Sequence, residues 1–250
     1  MRWLGFLLLV MTGSAINAQN TPDDASIAEV KQKVAQMHGN SLNTLLIGER
    51  LEQQTHDGKD NLVWEAQGWV GRDFNKLWFK TEGHYDSENN DTEEFEVQAL
   101  WSHAISPFWD LQMGLRHDFE PDVSRDYAVV GLMGLAPYWF EVDAAAFLND
   151  EGHVSTRLEA EYDLRFSQRL ILQPRMELNY AFNDDLEAGF AKGLYKSHLG
   201  LRLRYEVKRE FAPYIGVTWE KSFGETANLL SARGLDNGEV SWVMGFRAWY

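Results

Sequence analysis

The chain has 250 residues, a formal net charge of −15 and no cysteine, and aromatic residues make up 13% of it, with ten Trp. The acidic balance argues against nucleic acid as a partner and towards cations, and the lack of cysteine excludes disulfides and thiolate metal sites. A large apolar load in a chain that is also 24% charged has to be segregated by the fold.

The opening MRWLGFLLLVMTGSAINAQN places Arg2 before an apolar run from Trp3 to Met11, followed by small and polar residues with Ala18 as a cleavage site. This is the pattern of a secretory signal peptide over residues 1–18. The run is too short to span a bilayer as a helix, which takes about 20 residues, and nothing later is long and apolar enough. Residues 19–42 read as a separate periplasmic N-terminal segment, flexible or holding a short helix. Pro22, Asp23 and Asp24 would open that helix, Ile27, Val30, Val34 and Met37 would share one side, and Gly39 would stop it.

From Asn43 onward the pattern is β. The alternation predicts twelve strands over 43–54, 61–72, 75–86, 93–105, 108–119, 127–136, 139–149, 154–166, 169–182, 195–208, 211–223 and 239–250. Most meet the about 9–11 residues that a transmembrane strand needs. Short connections are expected at Asp73–Phe74, Ser106–Pro107, Tyr138–Trp139, Ser167–Gln168 and Arg209–Glu210. Longer ones, rich in Asp, Asn, Gly and Glu, are expected at 55–60, 87–92, 120–126, 150–153, 183–194 and 224–238.

Each strand has two unlike faces. In RLEAEYDLRF, Arg157, Glu159, Glu161, Asp163 and Arg165 point one way and Leu158, Ala160, Tyr162, Leu164 and Phe166 the other. In LGLRLRYEVK, Arg202, Arg204, Glu206 and Lys208 oppose Leu201, Leu203, Tyr205 and Val207. Alternation alone fits a soluble sandwich as well as a barrel. Strand length, loops sorted by length to opposite ends, and aromatics near strand ends (Trp109, Trp139, Phe140, Phe211, Tyr214, Trp219) favour a transmembrane antiparallel up-and-down β-barrel over 43–250. The final GFRAWY, which ends a strand on an aromatic residue, fits the insertion signal of such barrels. If residues 167–169 form the turn, Glu161 faces Arg175 across the sheet.

Seven histidines are present, none at a zinc-protease spacing. By parity His84 and His198 fall on the polar side near the outer mouth, with Glu82 close to His84. Imidazole with carboxylate suits Cu(II) or another borderline divalent ion; the alternative for each histidine is an ordinary hydrogen-bonded wall residue. His117 and His103 share parity with the apolar face and are expected at a rim. Met113, Met176 and Met244 fall on the lipid side. Ser102 and His103 point to opposite faces and cannot form a catalytic dyad, so a hydrolase, or any enzyme, is not expected.

ERLE (49–52), AQGWVG (66–71), LRHDFEP (115–121), GLAPYWFEVDAAAF (134–147), RLEAEYDL (157–164), QRLILQPR (168–175) and LGLRLRYEVKREFAPYIGVTWE (199–220) together resemble the copper resistance protein B family. The resemblance implies a barrel in the outer membrane of a Gram-negative bacterium that binds or passes copper ions, Cu(I) or Cu(II), and contributes to copper tolerance. It also implies periplasmic copper-handling partners such as a multicopper oxidase. Its RHDF motif adds His117 and Asp118 as metal candidates. Members often carry a His- and Met-rich stretch before the barrel, where this chain has only Met37 and His38. The alternative function is a structural barrel that binds no metal and docks a periplasmic copper protein.

Overall fold

The structure, a computed structural model, describes residues 24–37, 41–87, 89–120 and 124–250. The leader with Ala18, the helix-opening Pro22 and Asp23, and His38 and Gly39 lie outside the described residues. Asp24–Met37 form helix α1, on which Ile27, Val30 and Val34 are exposed and Lys33 pairs with Glu29 at 2.8 Å. Helix α1 lies in a unit separate from Ser41–Tyr250.

The second unit is one antiparallel sheet. Its strands are β1 (Asn43–His56), β2 (Lys59–Gly71), β3 (Asn75–Asp86), β4 (Asp91–Ser106), β5 (Trp109–Glu120), β6 (Arg125–Ala136), β7 (Phe140–Asn149), β8 (Val154–Glu161), β9 (Leu164–Arg165), β10 (Leu170–Ala181), β11 (Gly193–Tyr205), β12 (Phe211–Ser222) and β13 (Gly238–Trp249). Strands β8 and β9 are two pieces of one wall strand, both paired to β10, so the wall has twelve strands among the described residues. The ring closes where β1 pairs with β13, with Gln53 opposite Met244 and Thr55 opposite Trp242. Closure leaves no sheet edge, which is what allows a sheet to stand in hydrocarbon with its backbone groups paired.

The outer wall is apolar: Leu115 is 68% exposed, Ile215 61% and Trp242 73%. Residues of the opposite parity, among them Glu52, Gln112, Arg175 and Arg202, are buried inside. A wall with hydrocarbon outside and charge inside is the membrane-spanning solution, since a soluble barrel would reverse it. The connections after β1, β3, β5, β7, β10 and β12 lie at one end, which includes the long 182–192 loop and helix α2 (Gly224–Ala232). In barrels of this kind the long-loop end is the outer mouth and the short-turn end faces the periplasm.

Three expectations change in detail. The predicted 55–60 loop is a two-residue turn, with Asp57 at φ 47° and Gly58 at φ 84° and the ladder running to the His56–Lys59 pair. An Asp-Gly pair with two positive φ angles matches the twist of a hairpin. The predicted strand 154–166 breaks at Tyr162–Asp163, which face the part of β10 containing Pro174. Proline has no N–H to give to the ladder. Tyr214, expected with the aromatics at the membrane edge, is 5% exposed and donates its hydroxyl to Glu52 at 2.9 Å.

Glu52 (1% exposed) also accepts from Arg202 (3% exposed) at 2.8 and 2.9 Å. Removing one partner of a buried ion pair strands the other. Glu52→Ala is therefore expected to destabilise the barrel by about 3–5 kcal/mol, read from urea unfolding in lipid vesicles; an unchanged midpoint would show that Arg202 finds water instead.

Candidate functional site

The inner wall carries a lattice of arginines and carboxylates. Arg175 stands opposite Glu161, as the register predicted, and its guanidinium lies 2.6 Å from Glu159 and 3.3 Å from Glu161. It also reaches Glu65 on β2 at 2.7 Å. Arg157 on β8 lies 2.9 Å from Glu96 on β4 and 3.3 Å from Glu82 on β3. Strands β2, β3 and β4 are not neighbours of β8 or β10 in the wall, so these contacts cross the lumen. Arg50 joins Glu65 and Glu82 at 2.6 and 2.8 Å, and Arg116 joins Glu96 at 2.7 Å and Asp118 at 2.5 Å. The planar guanidinium fork can serve several carboxylates at once. Carboxylates outnumber arginines in this lattice, which leaves the interior attractive to cations.

The lattice divides the interior. A central cavity of about 340 Å³ and a second of about 310 Å³ towards the outer mouth are both lined by Glu82, Glu96, Phe147 and Arg157, so these four side chains form the partition. Beside it lies an apolar patch of Trp78, Leu100, Tyr127, Val129 and Phe147, with Met133 packed against it. Met133 lines the central cavity and accepts from Gln112 Nε2 at 3.4 Å through its sulfur. Met113 and Met244 are exposed on the outer wall, as parity predicted. At the outer mouth α2 and the 182–192 loop contribute Phe190, Thr226 and Leu230 to the upper cavity, and the Ala191 N–H donates to Thr226 at 2.9 Å.

At this mouth ligand atoms of Glu151, His153 and Asp185 lie within 4.8 Å of one another. His153 Nδ1 is 3.3 Å from Asp185 Oδ2 and 3.8 Å from Glu151 Oε2. Asp185 is 2% exposed. Asn149 Nδ2 donates to it at 3.1 Å, and Asn149 Oδ1 accepts the His153 backbone N–H at 2.7 Å. Arg125 lies 2.6 Å from Glu151, 3.1 Å from Asp185 and 3.2 Å from Glu187. The group thus has one imidazole, two carboxylates and a guanidinium that competes with any incoming cation. Among the described residues this is the one such trio. His153 and Asp185 come from connections far apart in sequence, so spacing gave no sign of their meeting.

The residues singled out from sequence are dispersed. His84 faces the lumen near the outer mouth, with Nδ1 3.3 Å from Glu93 and Nε2 buried without a hydrogen-bond partner. It stands opposite Glu94, which Lys196 holds at 2.9 Å. Glu82 is engaged by Arg50 and Arg157 in the partition. His198 sits on β11 between Glu177 and Glu220 in the register. His117 faces outward, 2.7 Å from exposed Asp126, whereas Asp118 faces inward on Arg116. Neighbours in a strand point to opposite faces, so His117 and Asp118 are not brought to one site. His103 also faces outward, stacked on Trp101 at 5.4 Å.

The model of the family described as copper resistance protein B precursor matches residues 42–250. A copper resistance protein B of Escherichia coli is 42% identical over 214 residues, covering 86% of this chain and 72% of that protein. A copper resistance protein B homolog of Pseudomonas syringae pv. tomato is 42% identical over 215 residues, with the same shares covered. Among solved structures, a NanC porin superposes with a TM-score of 0.52 at 14% identity, covering 82% of this chain and 99% of that one; this likeness is one of fold.

The partition gives a direct expectation. Arg157→Ala removes both the side chain between the two cavities and a positive charge. Cation conductance through single barrels in planar bilayers should rise by roughly tenfold; unchanged conductance would place the narrowest barrier elsewhere.

Proposed function

Because the chain belongs to the copper resistance protein B family and folds as an outer-membrane β-barrel, we propose that it binds copper ions at its outer mouth and contributes to copper resistance by holding or passing them there. The observation that carries this reading is the convergence of Glu151, His153 and Asp185 within 4.8 Å. One imidazole nitrogen and two carboxylate oxygens form a donor set suited to Cu(II). His84, with its unpartnered Nε2 and Glu93 beside it, is a second ligand position on the same mouth. His198 lies deeper, and Glu82 is a wall charge already shared by two arginines. His117 and Asp118 drop out as a pair.

Copper is cargo here and no catalytic step is part of the reading. The excess of lumen carboxylates raises the local cation concentration, and imidazole supplies selectivity over the hard ions that carboxylates alone would take. A periplasmic multicopper oxidase is the kind of partner that the family implies. A barrel that only docks such a protein is the competing reading, favoured by one feature: most lumen carboxylates are already paired with arginine.

Copper titration of the detergent-purified barrel separates the two. His153→Ala should weaken the tightest site by roughly 10–100-fold. Arg125→Gln should strengthen it, because the competing charge is gone. An imidazole ligand must be neutral, so binding at about pH 5 should be weaker than at about pH 7.5. No bound copper in any of these preparations, or full binding by His153→Ala, would remove the site.

A further inference from the structure

The sign of the charge inverts along the barrel axis. The outer mouth presents Glu93, Glu151 and Glu187, but the cavity of about 1040 Å³ at the short-turn end is lined on one side, from β9 and the neighbouring turns after β9 and β11, by Arg165, Arg169, Lys208 and Arg209, with Arg204 in its wall. Arg169, Lys208 and Arg209 are exposed and stand outside the ion pairs of the described residues. Arg165 is 62% exposed and only 3.9 Å from Asp163. Arg204 is 3% exposed; its Nη2 lies 2.8 Å from Asp163, while its Nη1 is buried with no acceptor. Asp163, Glu141 and Glu206 share this cavity but do not balance its cations. Such a cluster is out of keeping with a chain of net charge −15.

The basic rim is also held in place. The Glu206 N–H donates to the Arg169 carbonyl at 2.8 Å, which ties the turn after β9 to the turn after β11. Trp249 Nε1 donates to the Arg209 carbonyl at 2.7 Å and its N–H to Glu210 at 3.1 Å, which ties the second turn to β13. Three of the four cations stand on turns whose backbone is pinned, and Arg165 on β9, so binding costs side-chain freedom but little backbone freedom. Their field repels free metal cations and attracts carboxylates, which guanidinium groups grip in pairs. These residues line the inside of the mouth, whereas lipid headgroups surround the outer wall, so a soluble polyanion fits the position better than a membrane lipid does.

We propose that the periplasmic mouth is a docking surface for an acidic segment of a periplasmic protein, which sets carboxylate side chains against the Arg165–Arg169–Lys208–Arg209 cluster. This holds whether or not the outer mouth binds copper. On this view a cation reaches the lumen from below when a docked acidic partner has masked the cluster, and not by free diffusion.

The probe is a fluorescent hexaglutamate peptide, read by anisotropy against the full mature barrel in zwitterionic nanodiscs. Wild type should bind it, more weakly as salt rises. The triple variant Arg169→Glu/Lys208→Glu/Arg209→Glu should bind more than about tenfold more weakly, and the milder Arg169→Gln/Lys208→Gln/Arg209→Gln should fall between. Heat-modifiable gel mobility verifies that each variant is folded. An outer-mouth variant, Glu187→Gln, should bind like wild type. Equal binding by wild type and both triple variants would overturn the proposal. So would a variant that keeps the peptide but loses retention of phosphatidylglycerol in mixed nanodiscs, since the cluster would then be a lipid contact.

Discussion

The arginine–carboxylate lattice across the lumen is the interaction on which the rest of this barrel depends. Once the sheet closes in hydrocarbon, every second side chain is committed to the interior, and this chain puts charge there. Isolated charges in so narrow a space would be too costly to ionise, so each must have a partner. Arg157 and Arg175 meet that need by reaching from β8 and β10 to carboxylates on β2, β3 and β4. The same reach fills the bore. Electrostatic satisfaction and the partition between the two inner cavities are therefore one feature, and a barrel wide enough to conduct freely could not have it.

The fold was legible because period two is a local signal. The alternation in RLEAEYDLRF assigns faces residue by residue, and the strand boundaries follow within a few residues. The register of Glu161 with Arg175 was equally local, since one turn length sets it. The errors were local events that override the pattern. Asp57–Gly58 makes a tight hairpin in place of a longer loop, and Pro174 interrupts the ladder of the strand beside it. Tyr214 looked like a membrane-edge aromatic because its hydroxyl partner, Glu52, is 162 positions away.

The site was less legible for a related reason. Parity says that a residue faces the lumen, but not which strand it meets there. His153 and Asp185 come together because the β7–β8 connection and the 182–192 loop stand side by side at the outer mouth, anchored on Asn149 and Arg125. Met133 was missed as the methionine that faces inward. Conversely, the RHDF motif added two candidates that the strand itself separates, with His117 against Asp126 outside and Asp118 against Arg116 inside. The resulting charge distribution runs from a basic periplasmic rim, through a carboxylate-rich lattice, to an acidic outer mouth with imidazole. For a cation that gradient points outward.

The charged faces enclose an aqueous interior while the apolar faces meet lipid. The absence of native cysteine makes the direct measurement clean: single cysteines placed in turn from Glu141 to Ala146 on β7, each treated in vesicles with a water-soluble thiol reagent and, separately, carrying a fluorophore exposed to a lipid-borne quencher. An aqueous interior predicts alternation, with positions 141, 143 and 145, which line the central cavity, open to the aqueous reagent and positions 142, 144 and 146 quenched from lipid. Alternation of the opposite phase, or equal aqueous labelling at all six positions, would contradict it.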